Sequence, residues 1–286
     1  MAQFSITMQF YFAYGSNLDF DDWSLWCSKK NANPEGLVEY KRAFLPGFTV
    51  KYSHYSSGRE GGAANLYPVD NNLVGTYGAL FEIDEDCLEL LDSKEGHPNH
   101  YQRINVNVLD DNGKSVDAIT YISKKYNPND FFQPTEKYHN LIYNGMQIRN
   151  MPVLDIDLAK QNLDNSDCGF IIAYGTLKKG MEREHIMPGE FVSNGCIKGD
   201  LYDLGPFPGL LEGDGEVMCE VYHSRNMESD INFLDQIEGT NLIPPLYERK
   251  MIPVECNDDK LRFGICYFYC GDIGSNTVIS NGIWSE

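Results

Sequence analysis

The sequence predicts an α+β protein built twice over, two small related domains in tandem, each mixing strands with flanking helices. Landmarks recur in the same order: Ala13-Tyr14-Gly15-Ser16-Asn17-Leu18 returns as Ala173-Tyr174-Gly175-Thr176-Leu177, and Leu91-Asp92-Ser93-Lys94-Glu95-Gly96 returns as Leu234-Asp235-Gln236-Ile237-Glu238-Gly239. Tyr101-Gln102-Arg103 likewise returns as Tyr247-Glu248-Arg249. Each Tyr-Gly ends an apolar, aromatic-rich run, as a strand entering a tight turn does, and each Glu-Gly ends a run of helical period. A chain of 286 residues has room for two domains, each long enough to bury its own core.

In chain order, Phe10–Ala13 and Phe170–Ala173 read as the opening strands. Ser16 or Asn17 is the expected cap of a short helix running through Trp23 and Trp26, which are three apart and share a face. Asp84 is the expected N-cap of a second helix, with Cys87, Leu88 and Leu91 on its apolar face; Ile231, Leu234 and Ile237 match it in the second copy. Gly96 and Gly239 stand where a helix takes a left-handed residue, which puts Glu95 and Glu238 in the last turn. Strands over Ile104–Leu109 and Met251–Glu255 follow. The separation from Tyr to Glu is 81 residues in the first copy (14 to 95) and 64 in the second (174 to 238), and the excess is placed around Tyr52–Asn65. Residues 151–167 are acidic and polar with little period, so the domains are placed at 8–150 and 168–286 with 151–167 as a linker.

The charge balance narrows the partners. With 23 Lys+Arg against 42 Asp+Glu the net charge is −19, and neither half is basic (13 against 19 before residue 151, 10 against 23 after). Such a surface repels phosphate backbones and anionic lipid, so nucleic acid and membrane are not expected partners. No Lys or Arg precedes Lys29, so a signal-peptide n-region is not expected, and no window approaches eighteen apolar residues. The eight cysteines form no Cys-x-x-Cys pair and sit mostly among apolar neighbours, which reads as reduced, structural thiols of a cytoplasmic protein.

Few residues carry chemistry. A strand–Gly–Ser/Thr junction points backbone N–H groups, unobstructed, beside the positive end of a helix, which suits a carboxylate or a developing oxyanion. A carboxylate in the last helical turn faces the negative end of the macrodipole, and burial adds to the upward push on its pKa, toward the range of a residue that accepts a proton and returns it. Taken singly, each motif is more often an ordinary turn or an exposed helix end; their repetition in both copies favours function. His97 and His100 lack a third ligand and have no counterpart in copy two, so no metal site is expected. Gly58-Arg59-Glu60-Gly61-Gly62 lacks the Gly-Lys-Ser/Thr ending of a phosphate cradle, and no nucleophile elbow or Cys-His spacing occurs.

These landmarks resemble the gamma-glutamyl cyclotransferase family, with its early Tyr-Gly-Ser-Asn/Thr-Leu loop and later Leu-Asp-x-x-Glu-Gly…Tyr-x-Arg segment. The first half, with Phe12–Leu18, Gly61-Gly62-Ala63-Ala64-Asn65 and Gly78-Ala79-Leu80-Phe81, looks like the cyclotransferases proper. The second, with Gly205-Pro206-Phe207-Pro208-Gly209 and Cys219-Glu220-Val221-Tyr222, looks like the gamma-glutamylamine cyclotransferase and AIG2-like branch. The resemblance departs at Cys219, where the family has Gly, and in the longer Gly239–Tyr247 loop.

The resemblance implies a small closed or nearly closed mixed β-barrel with flanking helices in each domain, no cofactor, and a small-molecule gamma-glutamyl substrate. The implied reaction is intramolecular: the α-amine attacks the γ-carbonyl, releasing 5-oxoproline and an amine. Glu95 and Glu238 are the implied proton carriers. The implied binding residues are Tyr14, Gly15, Ser16, Asn17, Leu18 and Tyr101 in the first copy, and Tyr174, Gly175, Thr176, Leu177 and Tyr247 in the second. The competing readings are a tandem binding module without turnover, or one active and one structural copy.

Overall fold

The computed structural model describes residues 9–124, 127 and 129–285; Met8 and Glu286, the outer bounds expected for the two domains, lie outside them. The chain divides into two compact units between Ser166 and Asp167.

Unit 1 runs β1 (Gln9–Ala13), α1 (Phe20–Lys29), β2 (Val38–Pro46), β3 (Phe48–Ser56), β4 (Gly61–Pro68), β5 (Gly75–Ile83), α2 (Glu85–Glu95), β6 (Tyr101–Asp110), β7 (Ser115–Ser123), α3 (Glu136–Gln147) and α4 (Leu154–Lys160). Five strands close a barrel in the order β1-β5-β2-β6-β7; all its pairings are antiparallel except β1 with β7, where Tyr11 faces Ile119 in parallel. Gly78 on β5 is needed where β1 approaches: a Cβ there would fall 2.3 Å from the Ala13 carbonyl oxygen. Phe12, Leu80, Ile83, Val108 and Tyr121 fill the core.

The excess residues of the first copy form a separate two-stranded sheet, β3–β4, which unit 2 does not have among its described elements. Unit 2 runs β8 (Gly169–Ala173), β9 (Glu190–Asp203), β10 (Pro208–Ser224), α5 (Met227–Ile237), β11 (Tyr247–Cys256) and β12 (Leu261–Tyr269), closed as β10-β8-β12-β11-β9. Its one parallel pairing, β8 with β12 at Ile171 and Ile265, occupies the same place as β1 with β7. The architecture is therefore α+β with two tandem mixed barrels.

Two local expectations change. Ser16 and Asn17 do not cap α1; they lie in a single 3-10 turn, Ser16–Leu18, and the Asp19 side chain caps α1 by accepting from the Asp22 N–H. An acidic cap one turn later satisfies the same orphan amides. Residues 151–166, placed within the linker, belong to unit 1 and carry a helix. α4 packs on β3 with Ile156, Leu158 and Ala159 buried, and buried Asn165 accepts from Thr49 Oγ1 (2.6 Å) and donates to the Val50 carbonyl (3.1 Å). The helix is only seven residues long, with acidic residues between its apolar ones, too short for a period to show.

Asp84 caps α2 as expected, accepting from the Cys87 N–H at 2.8 Å, and Gly96 closes it at φ +66°; Gly239 closes α5 at the same φ. Asp84→Ala should cost about 1 kcal/mol of unfolding free energy, read as a lower urea midpoint at unchanged slope.

Candidate active sites

Each barrel holds a small cavity whose wall joins the Tyr-Gly turn to the end of the helix before Gly96 or Gly239. In unit 1 an inner chamber of about 40 Å³ is walled by Tyr11, Tyr14, Asn17, Glu95, Tyr101 and Tyr138, among others. An outer chamber of about 400 Å³ shares Ser16, Glu95, Tyr101 and Tyr138 with it and adds Arg59 and Lys94. In unit 2 a cavity of about 90 Å³ is lined by Tyr174, Gly175, Thr176, Leu177, Glu238 and Tyr247, together with Arg183, Phe207 and Pro208.

The two sites share one scaffold. Tyr14 Oη donates to the Tyr121 carbonyl (2.6 Å), and Tyr174 Oη to the Tyr267 carbonyl (2.7 Å). Tyr101 Oη donates to the Ala64 carbonyl (3.0 Å), and Tyr247 Oη to the Pro208 carbonyl (2.7 Å). With each hydroxyl proton committed to a main-chain carbonyl, the oxygens can present lone pairs to a ligand. Burial pushes Tyr14, Tyr101 and Tyr247 well above the usual tyrosine value, so all stay protonated.

Beneath them the repeated order Leu-Asp…Tyr-x-Arg of each copy becomes a lock. Asp92 accepts from Tyr121 Oη (2.6 Å) and pairs with Arg103 (3.1 Å); Asp235 accepts from Tyr267 Oη (2.9 Å) and pairs with Arg249. Each lock ties the helix that carries the glutamate to two barrel strands.

Glu95 Oε1 accepts from Asn17 Nδ2 (3.1 Å), whose other bond goes to Tyr11 Oη (2.8 Å). Asn17 Oδ1 is buried with no hydrogen-bond partner among the described residues, leaving an acceptor on the inner chamber's wall. Burial raises the Glu95 carboxyl above the ordinary glutamate value, opposed by Lys94, by the Asn17 hydrogen bond and by Arg59. Glu238 is pushed up to about 7 by burial, opposed by Arg183. A half-buried, desolvated carboxyl on one wall with lone-pair oxygens can exchange a proton with an amine.

A family model described as gamma-glutamyl cyclotransferase, AIG2-like, matches residues 171–286, and one described as AIG2-like family matches residues 75–154. A protein of Methanocaldococcus jannaschii described as a "Putative gamma-glutamylcyclotransferase" is 31% identical over 117 residues, covering 40% of this chain and 83% of that protein. The chain belongs to the gamma-glutamyl cyclotransferase family. A gamma-glutamylaminecyclotransferase A of Danio rerio is 34% identical over 61 residues, 21% of this chain and 38% of that protein. Among solved structures, one titled gamma-glutamyl cyclotransferase aligns at TM-score 0.46 and 23% identity, covering 54% of this chain and 86% of that one. YkqA from Bacillus subtilis aligns at TM-score 0.34 and 18% identity, covering 94% of this chain and 87% of that one.

In this cyclotransferase-family chain the structure brings Tyr14, Gly15, Ser16, Asn17, Glu95 and Tyr101 to one chamber, and Tyr174, Gly175, Thr176, Leu177, Glu238 and Tyr247 to another. It does not bring Leu18: its N–H bonds to the Gly15 carbonyl (3.0 Å) and its side chain is buried against Gly145 of α3. A 3-10 turn consumes that amide, so the candidate amides of the loop are those of Gly15, Ser16 and Asn17. His97 Nδ1 accepts from the Arg103 N–H (3.2 Å), a packing role. Sequence reading missed Tyr11, Tyr138, Arg59 and Lys94 in unit 1 and Arg183 in unit 2. Lys94 was visible as the neighbour of Glu95; Arg59 arrives from the tip of the β3–β4 hairpin, and Tyr138 from a helix with no counterpart among the described elements of the second copy.

Proposed function

We propose that each unit closes the ring of a gamma-glutamyl compound, releasing 5-oxoproline and a free amine, with Glu95 and Glu238 carrying the proton. The observation that bears most weight is a half-buried glutamate, its carboxyl raised above the ordinary value by desolvation, on one cavity wall with tyrosine hydroxyls in two copies of one scaffold. The α-ammonium of the substrate gives a proton to the glutamate. The freed amine attacks the γ-carbonyl and the new C–N bond forms; the glutamate returns its proton to the leaving nitrogen as the amide C–N bond breaks, then takes the second proton from the ring nitrogen and passes it to the departing amine, which leaves as an ammonium. Asn17 Oδ1 and the Tyr14 and Tyr101 oxygens accept from the ammonium in unit 1, and the turn amides of Gly15–Asn17 receive the α-carboxylate.

The test is 5-oxoproline release, by mass spectrometry, from gamma-glutamyl amino acids and gamma-glutamyl amines, with wild type, Glu95→Gln and Glu238→Gln. Release by wild type and loss of one activity in each variant supports two sites; full activity in the double variant refutes the assignment. The Asn17 hydrogen bond favours the charged form of Glu95, so removing it raises that carboxyl further. Asn17→Ala, made in a Glu238→Gln chain, should move the acidic limb of the pH–rate profile to higher pH.

A further inference from the structure

We propose that Arg59 sets the leaving-group specificity of unit 1 by reading an acidic group on the departing amine; this rests on the cyclotransferase reading above. The inner chamber, about 40 Å³, takes only the head of a substrate, and Glu95 stands on the wall it shares with the outer chamber of about 400 Å³. A group whose nitrogen is protonated by Glu95 therefore departs through the outer chamber.

Two cations from different elements converge there on one carboxylate. Arg59, at the β3–β4 turn, donates to Asp22 of α1 through Nη1 (2.8 Å) and Nη2 (2.6 Å), and Lys94 of α2 donates to the same carboxylate at 3.3 Å. Asp22 balances one of the two and ionised Glu95 the other, so one positive charge is left over once Glu95 carries the proton. Lys94 is almost fully buried and lies over the Trp23 ring, whereas the Arg59 side chain is 28% exposed and is the cation a ligand reaches. A guanidinium has five N–H donors. Asp22 takes two and Ser16 Oγ a third (3.3 Å), which leaves one on Nη1 and one on Nε among the described residues. Stacking over Tyr138, 5.3 Å from its centroid, holds the plane of the fork. These two donors lie on opposite edges of the held guanidinium, so each can give a carboxylate one charge-assisted hydrogen bond.

The test compares γ-glutamylalanine with γ-glutamylethylamide, the same skeleton without the carboxylate, in a Glu238→Gln chain so that unit 1 alone is read. Arg59→Gln should lower the ratio of their kcat/KM values about tenfold or more, through KM for the alanine compound, the size a charge-assisted hydrogen bond carries. Arg59→Lys should recover part of the ratio. Equal losses on both compounds, the signature of a residue that only holds Asp22, or an unchanged ratio would overturn the proposal. If the Glu238→Gln chain releases 5-oxoproline from neither compound, the catalytic reading fails separately. Calorimetric binding of both compounds to the Glu95→Gln/Glu238→Gln chain then decides: tighter binding of the alanine compound that disappears with Arg59→Gln supports the role, and equal or absent binding overturns it.

Discussion

Adding Glu95→Gln to a Glu238→Gln chain should cut 5-oxoproline release by about 10²–10⁴-fold, the usual worth of a positioned acid–base group. Glutamine keeps the size of the side chain and still offers a carbonyl to Asn17 Nδ2, which lies 3.1 Å from Glu95 Oε1 in the native chamber. It cannot accept a proton from an ammonium. Substrate affinity, read by calorimetry, should therefore change little while turnover collapses, and the melting temperature should not fall. A parallel fall in affinity and turnover would make Glu95 a binding residue and return the tandem binding module to favour.

Glu238 should govern both stability and rate in unit 2 as a function of pH. Its folded carboxyl is pushed up to about 7 from 4.5 by burial. The folded state therefore holds a proton that the unfolded chain has released, so the stabilising contribution is fully present below about pH 4.5 and is lost as pH rises through 7. By pH 8 the ionised carboxylate costs roughly 3 kcal/mol at 1.36 kcal/mol per unit. Glu238→Gln should recover most of that at pH 8 and little at pH 4, a difference that scanning calorimetry at the two pH values reads. A variant indistinguishable from wild type at both would mean the carboxyl is solvated. The same titration predicts that turnover by unit 2 falls as pH drops below about 7, where the proton-accepting form disappears.

The parts of the site that were legible in the sequence are those fixed by short-range rules. Gly96 and Gly239 advertise helix ends, and a helix end fixes the residue before it, so both glutamates could be placed without a fold. The Tyr-x-Arg landmark was visible as a repeat, but its purpose was not: the lock through Asp92 and Asp235 joins residues whose partners lie up to 32 positions away. Barrel closure came from resemblance rather than from the residues, because a single parallel pair such as Tyr11 with Ile119 leaves no local trace. The Ser16/Asn17 cap failed for a local reason, a 3-10 turn that moved the helix start to Asp19. Arg59 was read only as a failed phosphate loop, since what it faces is set by where the β3–β4 hairpin lands.

That hairpin separates two kinds of inheritance within one unit. Tyr14, and the helix locked in place behind Glu95, are positioned by the closed barrel, where every strand has two neighbours and a changed residue is felt around the ring, while the Ala64 carbonyl that holds Tyr101 lies on β4. Arg59 rides on the tip of this sheet, which carries Ser57, Gly58 and Glu60 at the surface. Evolution can redraw such a loop freely, so relatives could exchange the chemistry of what departs while leaving the ring-closing apparatus untouched, much as a tool keeps its handle and changes its bit.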